Sequence, residues 1–207
     1  MAGNKVKFGL KNAHYAVGTP GDEGTMTYGT VKPIKGSVSI SLSANSSDDN
    51  FYADDVAYYK LGGSTGYSGN YEAADLPIEF MVDVFGDIID SNGALIENTG
   101  GESKPFALLF EMTGDKNGRR HVLYNCTATR PDVSASTNEA SKTVTTDSTP
   151  ITCDTIHIPG IDIDSAKCRA EKGDECYDGW FNEVYIPMAS GSEETDEGDT
   201  DEGDTNP

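Results

Sequence analysis

One stretch alone carries the period of a helix. Residues 76–86 read LPIEFMVDVFG. Pro77 stands where a first helical residue belongs, because its missing N–H would lack a partner there anyway. Asp75 and Leu76 precede it as candidate caps. Ile78, Met81, Val82 and Phe85 recur at i, i+3, i+4 and i+7, the spacing of one apolar stripe, while Glu79 and Asp83 fall off it. Gly86 supplies the stop. The spacing predicts a helix over about 77–85. A helix that short is marginal alone and has to be held by packing. The remaining chain offers only strands to pack it on, so a mainly β protein with one short flanking α-helix is expected.

The strand signals are short and punctuated by turns. Lys5–Lys11 alternates Val6, Phe8 and Leu10 with lysines, and residues 25–31 read as a strand after a Gly/Pro/Asp turn at Gly18–Gly24. Val38, Ile40 and Leu42 alternate with serines. Ile88–Ile96 folds back around Asn92-Gly93. Phe106–Met112 is apolar at every position but Glu111, as in a strand buried on both faces, and Asp115–Gly118 turns it into a second strand over 119–129. Residues 131–141 form a Ser/Thr-rich loop. Thr143–Val144 and Ile151–Ile158 read as strands, with Pro150 limiting one continuous ladder between them. The last structured piece is Tyr177–Pro187. Many short strands with Gly-rich turns imply a β-sandwich or barrel.

Between Ser43 and Gly69 the character changes. This stretch is rich in Gly, Ser and Asp, yet it holds Phe51, Tyr52, Tyr58, Tyr59 and Tyr67. Asp48-Asp49-Asn50 looks like a hairpin tip. Gly62, Gly63, Gly66 and Gly69 suggest flexibility, while the aromatics offer area to bury on contact. An arm of this kind, at about 43–69, is expected to reach a protein partner.

The other end of the chain differs again. Residues 190–207 contain eight acidic and no basic side chains, with DEGDT repeated at 196–200 and 201–205. Such a segment cannot bury enough surface to offset its ordering entropy, so it is expected to be a disordered tail on a domain spanning 1–189. The formal net charge is -20, and about −12 without the tail. That balance argues against nucleic-acid affinity, which needs Lys and Arg for phosphate neutralisation.

No run of residues is long and apolar enough for a membrane span. The N-terminal residues carry charges where a signal peptide needs an apolar core, so synthesis in the cytoplasm without a Sec signal is expected. The four cysteines show no C-x-x-C spacing, which disfavours a structural zinc. Cys168 and Cys176 bracket a polar loop and could meet across a hairpin, or stay free thiols in a reducing compartment.

Nothing reads as a catalytic or cofactor site. Gly62-Gly63-Ser64-Thr65-Gly66 matches G-x-S-x-G, but a nucleophile elbow needs an apolar strand before it and a helix directly after. His14, His121 and His157 lie on three separate strand candidates and read as packed or surface histidines. Asp90–Gly93 and Asp115–Gly118 resemble fragments of calcium loops, yet neither continues to the acidic positions such a loop needs, and both read as turns. Asp162 and Asp164, alternating with Ile161 and Ile163, suggest a solvated strand face. No catalytic, metal or cofactor residue is therefore assigned.

Five stretches, in order, resemble one family: KVKFGLKNAHYA at 5–16, FYADD at 51–55, KPFALLFE at 104–111, RHVLYNCTATRP at 120–131 and YDGWF at 177–181. Together they look like the major tail protein, or tail tube protein, of siphophages of Gram-positive hosts. The likeness covers roughly residues 4–187. The acidic tail and Cys153, Cys168 and Cys176 depart from the family's pattern. The resemblance implies a tail-tube-type β-barrel or sandwich and six-fold rings stacked into a hollow virion tube. It also implies a tape-measure protein and other tail proteins as partners, with phage DNA passing through without specific binding. On the arm's own composition, the subunit interface is expected at Phe51, Tyr52, Asp54, Asp55, Tyr58 and Tyr59. The competing expectation is a surface adhesion or carbohydrate-binding β-sandwich, with Trp180 and the tyrosines as its sugar platform.

Overall fold

A computed structural model describes the backbone of residues 9–188 except 54, 55, 113, 114, 116 and 134–145. Side chains are described for these residues outside 47–62 and 64. The acidic tail, the strand start at Val6 and Phe8, the interface aspartates Asp54 and Asp55, and the strand expected at Thr143–Val144 lie outside the described residues.

The protein is mainly β. In chain order the strands are β1 (Leu10–Pro20), β2 (Met26–Tyr28), β3 (Lys32–Pro33), β4 (Ser37–Ala53) and β5 (Val56–Ala73). After the helix α1 (Ile78–Phe85) come β6 (Ile88–Ile89), β7 (Leu95–Ile96), β8 (Phe106–Met112), β9 (Arg120–Ala128) and β10 (Asp147–Asp154). The last are β11 (Ile156–Ile158), β12 (Ile163–Ser165) and β13 (Lys167–Ala170). Nine strands form one antiparallel sheet along the order β2-β1-β8-β9-β10-β5-β4, with β3 also on β1 and β13 also on β9. The pairs β6–β7 and β11–β12 are separate two-stranded ribbons.

The apolar run 106–112 is β8, inside the sheet between β1 and β9, and both its faces are covered. Phe106, Leu108 and Phe110 belong to one core cluster, Ala107 and Leu109 to the other. This is the alternation of a strand buried on two sides. In β9, Val122 and Tyr124 face the second cluster and Leu123 the first. A bulge in the β8–β9 ladder between Phe106 and Leu108 then shifts the phase. Through it Cys126 joins the first cluster, although it stands two residues after Tyr124.

Helix α1 lies over the first face. Gly86, in the left-handed conformation at φ 73°, donates its N–H to the Met81 carbonyl and ends the helix. Pro77 sits one position earlier than expected: its ψ of 137° makes it the N-cap rather than the first helical residue. Neither Asp75 nor Leu76 caps by side chain, and Leu76 donates its N–H to Asp147 Oδ2 across the domain. The buried face is Phe80, Val84 and Phe85, with Met81 partly covered, and Ile78 is 53% exposed. The stripe expected from 78, 81, 82 and 85 is therefore rotated. Phe80 decides the rotation, because its ring makes edge contacts with Tyr15, Phe85 and Phe106 at centroid distances of 5.0, 5.7 and 5.4 Å.

The second face is covered by β11–β12 and by turns over 174–187. Trp180, 1% exposed, packs among Ala107, Leu109, Val122 and Tyr124 and donates Nε1–H to the His121 carbonyl. Arg120 stacks over the Tyr177 ring, 3.8 Å from its centroid, donates to the Tyr177 carbonyl and pairs with buried Glu111. The YDGWF segment is thus a clamp on the sheet.

Pro150 does not interrupt β10. Its carbonyl accepts the Thr129 N–H, and a strand residue's N and O point to the same side. The missing donor therefore faces Thr129, just past the end of β9, and removes no bond to β5.

Arg130 joins the end of β9 to the helix terminus and the β6–β7 ribbon. It donates to Asp87 Oδ1 at 2.6 Å and Oδ2 at 2.9 Å, and to the carbonyls of Phe85 and Asn98. Asp87 is buried, and the hydrogen bonds from the guanidinium hold its carboxyl below the usual range. Arg130→Ala leaves a buried carboxylate without its partner and should cost about 3 kcal/mol, the low end for such a break because solvent reaches Arg130. A carboxyl with a depressed folded pKa contributes stability that is complete above its ordinary value of 3.8 and is lost as pH falls through the folded value. The wild-type advantage over Arg130→Ala should therefore be full at neutral pH and shrink in acid below that ordinary value. Denaturant melts of both proteins between neutral and strongly acidic pH test this, and a difference that does not change with pH would refute it.

Candidate assembly surface

The arm is a single long hairpin with a rooted half and a projecting half. Strands β4 and β5 pair continuously from Ser37↔Ala73 to Ala53↔Val56. Along Gly66–Ala73, β5 also pairs with β10, so this half belongs to the main sheet. Its side chains contribute to the core: Tyr71 is buried, and Ile40, Leu42 and Tyr67 pack against the first cluster.

Glycine is required at the root for close approach rather than for flexibility. A Cβ on Gly69 would lie 1.9 Å from the Ser41 carbonyl oxygen, and one on Gly66 would lie 2.1 Å from the Cys153 carbonyl oxygen. Gly69→Ala should therefore push β4 off β5 at the root and cost about 2 kcal/mol, the scale of overpacking a close contact. A thermal melt identical to wild type would show that the strands separate there at no cost.

Beyond Gly66 the hairpin leaves the sheet. The β4–β5 register shifts between Asn45 and Ser46, a bulge at the point of departure. Residues 46–53 and 56–64 then pair only with each other among the described residues. At a rise of about 3.3 Å per residue, the projection is about 25 Å long. Asp48, Asp49 and Asn50 are mid-strand, opposite Gly62, Leu61 and Lys60, so the tip expected there is displaced to the Ala53↔Val56 closure.

Of the expected interface residues, Phe51, Tyr52, Tyr58 and Tyr59 fall at the far end. Phe51 is the register partner of Tyr59, and Tyr52 that of Ala57. The register shifts between them, which leaves Tyr58 as the extra residue of a bulge. The G-x-S-x-G match at 62–66 lies inside strand β5 and forms no strand–turn–helix elbow.

A second exposed surface was not singled out from the sequence. In the β6–β7 ribbon Ile88, Ile89, Leu95 and Ile96 are all exposed, between 37 and 56%. The turn is held by Asp90 Oδ1, which accepts the N–H groups of Asn92 and Ala94. The Asp87–Arg130 pair fixes the ribbon's base. Four aliphatic side chains on one rigid ribbon give a contact surface with area to bury. The signal was present in the apolar residues flanking Asn-Gly, but the sequence does not show that none of the described residues packs over them.

Trp180, on which a sugar platform would depend, is buried under the C-terminal turns. His14 stacks near Phe181, His121 against Phe110, and His157 faces Asp164. Among the described residues, no three His, Cys, Asp or Glu side chains are grouped to hold a metal ion. None of the helices described is long and apolar enough to cross a membrane. Comparison with protein-family models, curated proteins and solved structures found no match.

Proposed function

We propose that this chain is a structural virion protein that assembles with copies of itself into stacked rings, six subunits to a ring, forming a hollow siphophage tail tube. The ring, its six-fold count and the tube are what the resemblance of the five sequence stretches implies, and the observation that supports self-assembly is the projecting hairpin. An isolated two-stranded hairpin is marginal in water, and the stretch of this one next to the sheet carries Asp48, Asp49 and Asn50 opposite Gly62, Leu61 and Lys60, with Asp, Asn and Gly among the residues strands disfavour. Its two outer edges present rows of N–H and C=O groups that form no ladder to another strand among the described residues. A neighbouring copy supplies what such edges lack: strands of the same length, in a repeating arrangement that closes into a ring. The exposed aliphatic ribbon at Ile88–Ile96 supplies a further contact. In this reading the tube holds a tape-measure protein during assembly and later passes DNA. The acidic chain suits a conduit whose wall should not bind phosphate.

Negative-stain electron microscopy of the purified full-length protein over a series of concentrations tests this. Rings or tubes are expected as concentration rises. A protein that stays monomeric throughout, by microscopy and by sedimentation, would remove the basis of the proposal.

A further inference from the structure

Cys126 on β9 and Cys153 on β10 are direct register partners in the antiparallel ladder. Both are completely buried in the first core cluster, and their sulfur atoms are 2.7 Å apart. That separation is inside ordinary contact between two unbonded sulfurs. Directly opposite residues in such a ladder have Cα atoms about 4.5–5.5 Å apart. A disulfide spans Cα separations of about 4.4–6.8 Å, so closing one here needs no rearrangement of the strands.

We propose that Cys126 and Cys153 form a dithiol site that closes to a cross-strand disulfide when the protein meets an organic disulfide as oxidant. In the first step one cysteine loses its proton and its thiolate attacks the reagent's S–S bond. That gives a mixed disulfide and releases one reagent thiolate, which takes up a proton. In the second step the other cysteine, deprotonated in turn, attacks the protein sulfur of the mixed disulfide. The protein S–S bond forms and a second reagent thiol leaves. Two S–H bonds are lost by the protein, and two electrons pass to the reagent, which ends as two thiols.

Burial and the adjoining Cys153 thiol push the Cys126 thiol upward, so little thiolate is present in the closed structure. The reaction therefore waits on folding or on local parting of β9 and β10, and the finished bond is shielded from reductants by the same barrier. In a reducing cell the pair remains as thiols. Outside it the bond closes.

The bond would staple the strand at the centre of the core to the strand that carries the hairpin root, since β10 pairs with β5 along Gly66–Ala73. By contrast, Cys168 and Cys176 are partly exposed and line an open cavity beside Arg169 and Tyr185. All four cysteines are free thiols in this structure.

The test uses the full-length protein, refolded in oxidised glutathione, then acid-quenched, denatured, alkylated and digested without reduction. One linked peptide pair carrying Cys126 and Cys153 is expected, two hydrogens lighter than the reduced pair, with Cys168 and Cys176 alkylated. Removing unfolded-state entropy should raise the Tm of the oxidised protein by roughly 10 °C over its reduced form. Cys153→Ala should show no such gain between its own oxidised and reduced samples. Recovery of Cys126 and Cys153 both alkylated after this treatment would overturn the proposal. So would finding either of them joined to glutathione, Cys168 or Cys176. Neither result depends on whether the protein forms tubes.

Discussion

Replacing residues 46–64 with a short Gly-Ser turn is expected to yield a folded, soluble β protein that forms no rings or tubes at any concentration. The replacement starts beyond the register shift at Asn45, where β5 loses β10 as a neighbour. Ile40, Leu42, Tyr67 and Tyr71 stay in place, so the core contacts of the hairpin root are retained. The segment removed pairs only with itself among the described residues, and a shorter connection lowers the entropy of closing the hairpin. The Tm should move by no more than a few degrees. Assembly should vanish because the unpaired edges and the aromatic end at Phe51, Tyr52, Tyr58 and Tyr59 are gone together. Circular dichroism melts report the first outcome, and sedimentation velocity with electron microscopy the second. Unfolding of the variant would place the distal hairpin in the fold itself. Tubes formed at the wild-type concentration would place the subunit contact elsewhere, with the β6–β7 ribbon the next surface to mutate.

The second large effect is expected in the core. Phe80→Ala should cost about 4 kcal/mol, from the transfer energy of a buried ring plus the cavity it leaves. For a domain of this size that lowers Tm by roughly 10 °C. Phe80 touches three aromatic rings at once, on β1, on β8 and on its own helix. Two of those contacts hold the helix to the sheet, and none of the surrounding rings can move in to fill the gap without losing another contact. Glu79→Ala, one residue earlier on the exposed side, should change stability by less than about 0.5 kcal/mol. Denaturant midpoints at unchanged m-value would measure both. Similar small effects from the two substitutions would mean that the helix is not seated as described.

Sequence alone determined the class of this protein and the elements whose signals are local. The β8–β9 hairpin was legible because an apolar run on both faces ends at Asp115–Gly118. The helix was legible from Pro77 and Gly86, since a residue without an N–H and a residue free to adopt positive φ act where they stand. The ribbon at Ile88–Ile96 was legible from Asn92-Gly93 for the same reason. The face of the helix was not. Over eight residues the stripe 78-81-82-85 and the stripe 80-81-84-85 overlap, and the choice rests on the rings that β1 and β8 bring to Phe80. Nor was the hairpin's reach, because Asp48-Asp49-Asn50 has turn composition and its extended form depends on register with Gly62, Leu61 and Lys60. The division of that hairpin into a rooted and a projecting half depends on where β10 stops pairing. The opposition of Cys126 and Cys153 was equally hidden. It depends on the register between the consecutive strands β9 and β10, and the bulge against β8 decides which core face the pair joins. Local signals survive in sequence because one or two residues produce them. Register, strand order and burial are pairwise properties of distant residues, and only the folded chain brings those residues together.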